Sequence, residues 1–250
     1  MPDPLDKSVR WRIDTGTLPL QEQGYRRTVE AILSSGLATN VVGLLSAGKE
    51  ADVYLAYYKS GPIAVKAYRL YRTSHRGGRP NKLDNMSWRA AREYEALYQA
   101  WKARVLVPAP ARRVEHMFSM RYLGEDDGPA PRLQDVRLAD PEVFLAKTLA
   151  AIQEMVRAGI VHGDLSAFNI LVHEDRPWFI DFSDWVRVDR LGVSPWKRLT
   201  IASTRLTRDL NALQKYFRRY KLEIHVEPIV SGLIDELDTF GVLGLSPEKD

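Results

Sequence analysis

One run constrains this chain more than any other: Ile160-Val-His-Gly-Asp-Leu-Ser-Ala-Phe-Asn-Ile-Leu171, followed by Phe179-Ile-Asp-Phe-Ser183. Asn169 comes five residues after Asp164, and Asp181 comes twelve after Asn169. Between them, Leu171 to Ile180 consists of two apolar runs around a polar turn, His173 to Pro177, a pattern that predicts a β-hairpin. A hairpin folds Asp181 back beside Asn169, so two oxygen-bearing side chains that are distant in sequence can share a metal ion. Whatever this chain folds into must deliver one short loop and one hairpin to the same place.

The bulk composition sets wide limits. A chain of 250 residues can bury a substantial core, as one domain of two lobes or as two small domains. With 45% hydrophobic and 27% charged residues it reads as an ordinary globular protein. Lys and Arg total 36 against 32 Asp and Glu, and an excess of +4 does not by itself argue for nucleic acid. The absence of cysteine excludes disulfides, thiolate metal sites and cysteine nucleophiles. The first residues lack the apolar core of a signal peptide, and no uncharged apolar run approaches the ~20 residues of a membrane span. A cytoplasmic location without membrane contact is the expectation.

Along the chain, residues 1–24 read as a polar, extended arm. Tyr25 to Leu37 predicts a short helix, with Val29, Ile32 and Leu33 at helical spacing. Val41 to Tyr58 predicts two strands around a turn at Gly48 and Lys49, and Ile63 to Tyr68 a third. Tyr71 to Asn85 is basic, contains Gly and reads as a mobile loop. Asn85 to Ala103 predicts a helix with Trp88, Ala91, Tyr94, Ala96 and Leu97 buried. Two strand-like runs follow within Val114 to Leu123, and Gly124 to Arg132 reads as a connection between lobes. Asp140 can cap the next helix, Pro141 suits its first position and Gly159 its end. Its apolar stripe is Phe144, Leu145, Leu149, Ile152, Met155 and Val156. Beyond Trp185 the chain is helical in character, most clearly over Leu206 to Lys221. The expected fold is α+β and two-lobed, like that of protein kinases. It has an arm (1–24), a β-rich N-lobe (25–123) and a helical C-lobe with the hinge region (124–250), and the ATP site in the cleft.

Four pieces point to phosphoryl transfer. Lys66 lies on the third predicted strand, where a buried charge needs partners. ATP phosphates and Glu93 on the following helix would supply them, with Glu95 as a second choice and a solvent-facing edge lysine as the plain alternative. Ser46-Ala-Gly-Lys-Glu-Ala-Asp-Val-Tyr54 places Gly48 where backbone N–H groups can approach phosphates. Gly43 to Lys49 imitates a Walker A loop, but Glu50 replaces its Ser/Thr and a strand follows, which excludes a P-loop NTPase. Asp164 is placed to accept or orient the proton of an attacking hydroxyl. Asn169 and Asp181 are hard oxygen ligands suited to Mg²⁺. His162 reads as a core histidine bonded to backbone near Asp181.

The motifs quoted above resemble the RIO family of atypical serine/threonine protein kinases over about residues 25–225. Ser46 to Tyr54 looks like that family's phosphate-binding signature, His162 to Leu171 like its catalytic loop, and Ile180 to Ser183 like its metal-binding run. The resemblance implies ATP- and Mg²⁺-dependent autophosphorylation or phosphorylation of a protein substrate, with possible ATPase activity. It assigns Asp164 and Asp181 to catalysis and Asn169 and Asp181 to the metal. It assigns Ser46, Gly48, Lys49, Val53, Lys66, Glu93, Ser166, Asn169, Leu171 and Ile180 to the nucleotide. Met120 becomes the gatekeeper, and Tyr122 and Leu123 part of an adenine-binding hinge. It also implies that Asp181 can become transiently phosphorylated.

Departures sharpen the comparison. No winged helix precedes the kinase-like region, which places the chain nearer the first RIO subgroup, and Ala47 replaces the usual Thr. Gly163 stands where typical eukaryotic protein kinases carry Arg, and no Ala-Pro-Glu follows Asp181, so activation-loop phosphorylation is not expected to switch it. Ser166 stands where many protein kinases carry a Lys that touches the γ-phosphate. Two other functions share these motifs. One is a small-molecule phosphotransferase of the aminoglycoside or choline kinase type. The other is an ATP-gated binding protein acting on RNA or a ribosomal particle. Arg72, Arg76, Arg79, Lys82, Arg218, Arg219 and Lys221 would then contact RNA phosphates, unless they are simply solvated.

Overall fold

The computed structural model describes residues 19–48, 50–70, 83–125, 128–188 and 195–239. The chain divides into two compact units, Met1–Tyr94 with Ala109–Tyr122, and Glu95–Pro108 with Leu123–Asp250. The first is sheet-rich and the second helix-rich, which is the α+β, kinase-like architecture expected.

In the first unit, helix α1 (Pro19–Ser34) leads into strands β1 (Asn40–Ala47), β2 (Ala51–Tyr58) and β3 (Gly61–Tyr68). Helix α2 (Leu83–Lys102) follows, its residues up to Tyr94 counted in this unit and those from Glu95 in the second, then β4 (Pro110–Val114) and β5 (Met117–Arg121). The five strands form one antiparallel sheet in the order β1-β2-β3-β5-β4. Alternation sorts its side chains. Tyr54, Ala56, Val65, Ala67 and Met117 pack with Ile32 and Leu37 from the α1 side. The opposite face meets α2, where Tyr94 stacks edge-on against Phe118 with ring centroids 5.9 Å apart. Covered on both sides, β3 is buried without interruption from Ala64 to Tyr68. That explains why Ile63 to Tyr68 reads as an apolar run rather than an alternating one.

Three details differ from the sequence reading. Helix α1 begins at Pro19, inside the segment read as an extended arm. The strands after α2 span 110–121, because Arg112 and Arg113 face outward on an edge strand that apolarity alone does not mark. Trp88 is 61% exposed, since the buried stripe of α2 is Met86, Ala90, Glu93, Ala96, Leu97 and Ala100. A carboxylate sits in the middle of that stripe. The predicted mobile loop, Tyr71 to Asn85, falls mostly outside the described residues.

In the second unit, β6 (Gly124–Glu125) and β7 (Gly128–Pro129) make a minimal ladder. Helix α3 (Pro141–Arg157) starts where its caps place it: the Asp140 side chain accepts the Val143 N–H at 3.0 Å, and Pro141 opens the helix. Thr148 takes a fully buried place in its stripe, its hydroxyl donating to the Phe144 carbonyl, while Leu149 is half-buried. Strand β8 (Ile160–Val161) then pairs with β11 (Val186–Arg187), and between them lies the hairpin β9 (Ile170–His173) and β10 (Arg176–Phe179). Helices α4 (Pro195–Phe217) and α5 (Val226–Thr239) complete the unit. The buried stripe of α4 is Ala202, Leu206, Asp209, Leu210, Leu213 and Phe217, again with a carboxylate among apolar residues. Leu206, Asp209 and Leu210 face Ile152, Met155, Val156 and His162 around one small interior space.

Ile32 is fully buried between α1 and the sheet. Ile32→Ala is expected to lower the urea unfolding free energy by about 2–4 kcal/mol, as for other buried aliphatic truncations.

Candidate active site

The sheet-rich unit holds one set of the residues singled out by the sequence. Ser46 pairs with Val53, Val53 with Lys66, and Lys66 with Phe118, so these four lie across neighbouring strands on one face of the sheet, which α2 meets at Lys66 and Phe118. Met120 pairs with Ala64 two residues along the same face. From α2, Glu93 reaches down to Lys66: Nζ lies 2.7 Å from Oε1, with the two side chains 10% and 4% exposed. The other carboxylate oxygen, Oε2, accepts the Tyr68 hydroxyl at 2.6 Å. Lys66 Nζ also lies 5.6 Å from the centre of the Tyr68 ring. Glu93 is therefore clamped at both oxygens, and its partner is the lysine expected. Glu95 instead contacts Gln99 at 2.8 Å and Arg187 at 3.9 Å.

The turn between β1 and β2 is closed by the Gly48 N–H donating to the Ala51 carbonyl at 2.9 Å. A Cβ at Gly48 would approach that carbonyl oxygen to 2.7 Å, so the turn admits no side chain there. Lys49 lies outside the described residues.

The helix-rich unit holds a second set. After β8, His162 turns inward and its Nε2–H donates to the Ile180 carbonyl at 3.0 Å, with the ring packed on Phe182 at 4.6 Å. This is the structural role its position suggested. Gly163 has φ +80, and a Cβ there would lie 2.4 Å from the Asp184 carbonyl oxygen. Only glycine meets both demands. Asp164 then stands exposed between the buried Gly163 and Leu165. Asn169 Nδ2 donates to the Asp164 carbonyl at 2.8 Å and lies 3.5 Å from its Oδ2. The Ser166 hydroxyl accepts the Phe168 N–H at 3.3 Å.

The hairpin performs the expected return. Ile170 pairs with Phe179, and the Ile180 N–H donates to the Asn169 carbonyl at 3.0 Å. Asp181 follows with φ +64, a left-handed conformation that Asp tolerates better than most residues. That backbone twist ends the strand and leaves Asp181 exposed. Because Asn169 commits its amide N–H to Asp164, its oxygen remains the group to offer a cation. An amide oxygen and a carboxylate match the hard donors Mg²⁺ takes, the other positions going to water and phosphate. Among the described residues no cluster of three His, Cys, Asp or Glu forms an all-protein metal cage. Leu171 packs against the apolar cluster of Leu123, Ala130 and Trp178. The Leu123 carbonyl accepts the Ala130 N–H at 2.9 Å, and Tyr122 is half-buried at the end of the sheet-rich unit.

Helix α4 holds the loop, and the sequence reading missed this. The Asp209 carboxylate accepts the Gly163 N–H at 2.8 Å and the Leu165 N–H at 3.0 Å, one on each side of Asp164. Arg205 Nη1 donates to the Gly163 carbonyl at 3.3 Å, and Arg208 Nη2 lies 2.5 Å from Asp164 Oδ1. Burial pushes the Asp209 carboxyl up to about 6. Asp164 adds to that push, while the two backbone N–H groups and Arg208 oppose it. A signal was available: Asp209 falls at helical spacing between Leu206, Leu210 and Leu213. Of the basic residues proposed for RNA, Arg72, Arg76, Arg79 and Lys82 lie outside the described residues. Arg218, Arg219 and Lys221 are exposed just after α4, and Arg219 stacks 4.1 Å from the Tyr216 ring centre.

Comparison with known proteins is consistent with this geometry. The model of the RIO domain matches residues 52–229, well over half of the chain. Serine/threonine-protein kinase RIO1 of Caenorhabditis elegans is 28% identical across 90% of this chain and 48% of its own length. The human protein of the same name is 32% identical across 68% of this chain and 35% of its own length. The chain thus spans half or less of these two relatives. RIO-type serine/threonine-protein kinase Rio1 of Methanocaldococcus jannaschii is 27% identical across 81% of this chain and 71% of its own. Among solved structures, the Rio2 kinase–ADP/Mg²⁺–phosphoaspartate complex of Chaetomium thermophilum matches with a TM-score of 0.69 at 21% identity, covering 88% of this chain and 70% of that one. That likeness establishes the fold.

Gly163→Ala is expected to cost about 2–4 kcal/mol in urea unfolding, through the clash with Asp184 and the left-handed backbone. Asp209 gives a pH signature. Its carboxyl binds a proton more tightly folded than unfolded between its ordinary value, 3.8, and about 6. It therefore subtracts stability as pH rises through that window, by roughly 3 kcal/mol in all, and nothing further above it. Unfolding of the wild type and Asp209→Asn at pH 4 to 7 should show this slope in the wild type alone.

Proposed function

This chain belongs to the RIO domain family, and on that premise we propose that it is an ATP- and Mg²⁺-dependent serine/threonine protein kinase of RIO type, acting on itself or on a protein substrate. The observation that carries the reading is the Asn169 side chain. It fixes the Asp164 backbone through one bond, while its own backbone carbonyl takes the N–H of the residue before Asp181. Asn169 thereby links the Asp164 backbone to the strand end that precedes Asp181.

The division of labour follows from the side chains. Lys66, held by Glu93 and Tyr68, engages nucleotide phosphates as a fixed cation. The Gly48 turn, where no side chain fits, is proposed to lie against the same phosphates. Asn169 and Asp181 would hold Mg²⁺, which when bound neutralises phosphate charge. The acceptor hydroxyl attacks the γ-phosphorus, the bond to the bridging oxygen breaks, ADP leaves, and the proton passes to Asp164. Met120, Tyr122, Leu123, Val53, Leu171 and Ile180 are proposed as the adenine and ribose surroundings. Relatives of this chain are named serine/threonine kinases, which favours a hydroxyl of a protein over an amino alcohol or aminoglycoside as acceptor. No helix among the described residues is long and apolar enough to cross a membrane.

The test is incubation with labelled ATP and Mg²⁺. The wild type should incorporate phosphate at Ser or Thr, and Asp164→Ala should do so at least about 100-fold more slowly. Equal labelling of the two proteins overturns the reading. Label released by hydroxylamine and absent in Asp181→Asn would instead locate an acyl-phosphate on Asp181.

A further inference from the structure

The loop from Ile160 to Leu171 contains neither Lys nor Arg. Its one basic residue, His162, is buried and bonded to the Ile180 carbonyl. Ser166 offers a neutral hydroxyl. A loop that presents a base to a phosphoryl group thus has no cation of its own to meet the charge on the transferred group. Helix α4 places one there. Arg205, Arg208 and Asp209 stand at positions i, i+3 and i+4 and so share one side of the helix. All three grip the segment around Asp164.

Arg208 differs from its two neighbours. Asp209 and Arg205 bind backbone, and Asp209 is buried. Arg208 binds the Asp164 carboxylate itself, at Oδ1, and both side chains are 51% exposed. A half-exposed ion pair contributes little to stability. Among the described residues Asp164 is the one hydrogen-bond partner of this guanidinium, so the rest of its five-donor fork is uncommitted. An Arg fork matches phosphate oxygens geometrically, and a cation at the transferring group is worth orders of magnitude in rate.

We propose that Arg208 is a catalytic residue that supplies, from helix α4, the cation the loop lacks at Ser166. It keeps one N–H on Asp164 Oδ1 and donates others to the phosphoryl oxygens. As the acceptor oxygen bonds to phosphorus, the bond to the bridging oxygen breaks with its electron pair leaving on ADP. The acceptor proton goes to Asp164 Oδ2, and Arg208 stays protonated throughout. This assignment rests on the kinase reading above.

The test uses the full chain and follows initial rates of phosphate transfer against ATP concentration, beside binding of a fluorescent ADP analogue. Arg208→Ala should lower kcat about 100- to 1000-fold, the range for removing a charge-stabilising donor. KM for ATP and ADP affinity should stay within about threefold of the wild type. Arg208→Lys should keep a larger share of the rate than Arg208→Ala. Millimolar guanidinium ion should restore part of the Arg208→Ala rate and none of the Asp164→Ala rate. Adding Ser166→Lys to Arg208→Ala should also recover activity, by returning the charge from the loop side. An Arg208→Ala rate near that of the wild type overturns the proposal. So does a loss matched by an equal loss of ADP binding, or one that neither guanidinium nor Ser166→Lys relieves. A wild type no faster than Asp164→Ala removes the kinase reading and this proposal together. An active wild type, an inactive Asp164→Ala and an unaffected Arg208→Ala remove this proposal alone.

Discussion

Asp209 lies in the apolar stripe of helix α4, where an ionised carboxylate is costly unless its oxygens are satisfied. It satisfies them with the N–H groups of Gly163 and Leu165. Those two bonds hold the backbone on either side of Asp164 against the helix, and so the intervening side chain is turned out to solvent. The position of the proposed base follows from this one contact. The left-handed turn at Gly163, the inward His162 and the Asn169 bond to the Asp164 carbonyl all require a loop already pinned at these points. Burial raises the proton affinity of Asp209, which is the electrostatic counterpart of the same placement.

The sheet-rich unit repeats the device. Glu93 occupies the buried stripe of α2 as Asp209 occupies that of α4, and it too spends both oxygens, on Lys66 and Tyr68. A buried pair of this kind is weak evidence for stability, since replacing it with apolar residues is often neutral. Its consequence is positional: Lys66 is held at one place on the sheet face that it shares with Ser46 and Val53. In both units a helix contributes a carboxylate to its own apolar face. The partner is a group the chemistry needs fixed, a cation in one case and a loop backbone in the other.

Local patterns carried much of this. The hairpin after Asn169, the cap at Asp140 and the three N-terminal strands were legible because each depends on neighbours in sequence or on one period of a helix or strand, whereas the pairing of Lys66 with Glu93, 27 residues apart, was expected from the need of a strand lysine for a charged partner. Failures had the same physical root. Trp88 looks like core by residue type, but the face of α2 that meets the sheet runs through Met86, Ala90 and Glu93, which leaves Trp88 outside. Pro19 to Gly24 is polar, and only the packing of the following turns on the sheet gives a helix reason to begin there. Strand β4 carries Arg112 and Arg113, and its identity comes from pairing with β5.

The sequence by itself determined the chemistry available: a Lys on a strand, an Asp and an Asn five residues apart, and an Asp returned by a hairpin. These are fixed by residue type and by the short-range geometry of turns and strands. The tertiary structure decided what holds and accompanies them. Tyr68 on Glu93, Asp209 under the loop and Arg208 on Asp164 join residues 25 to 46 positions apart. Such contacts exist only once helices have packed on their partners. Periodicity marks which face of a helix is buried, but it does not say which backbone or side chain that face will meet.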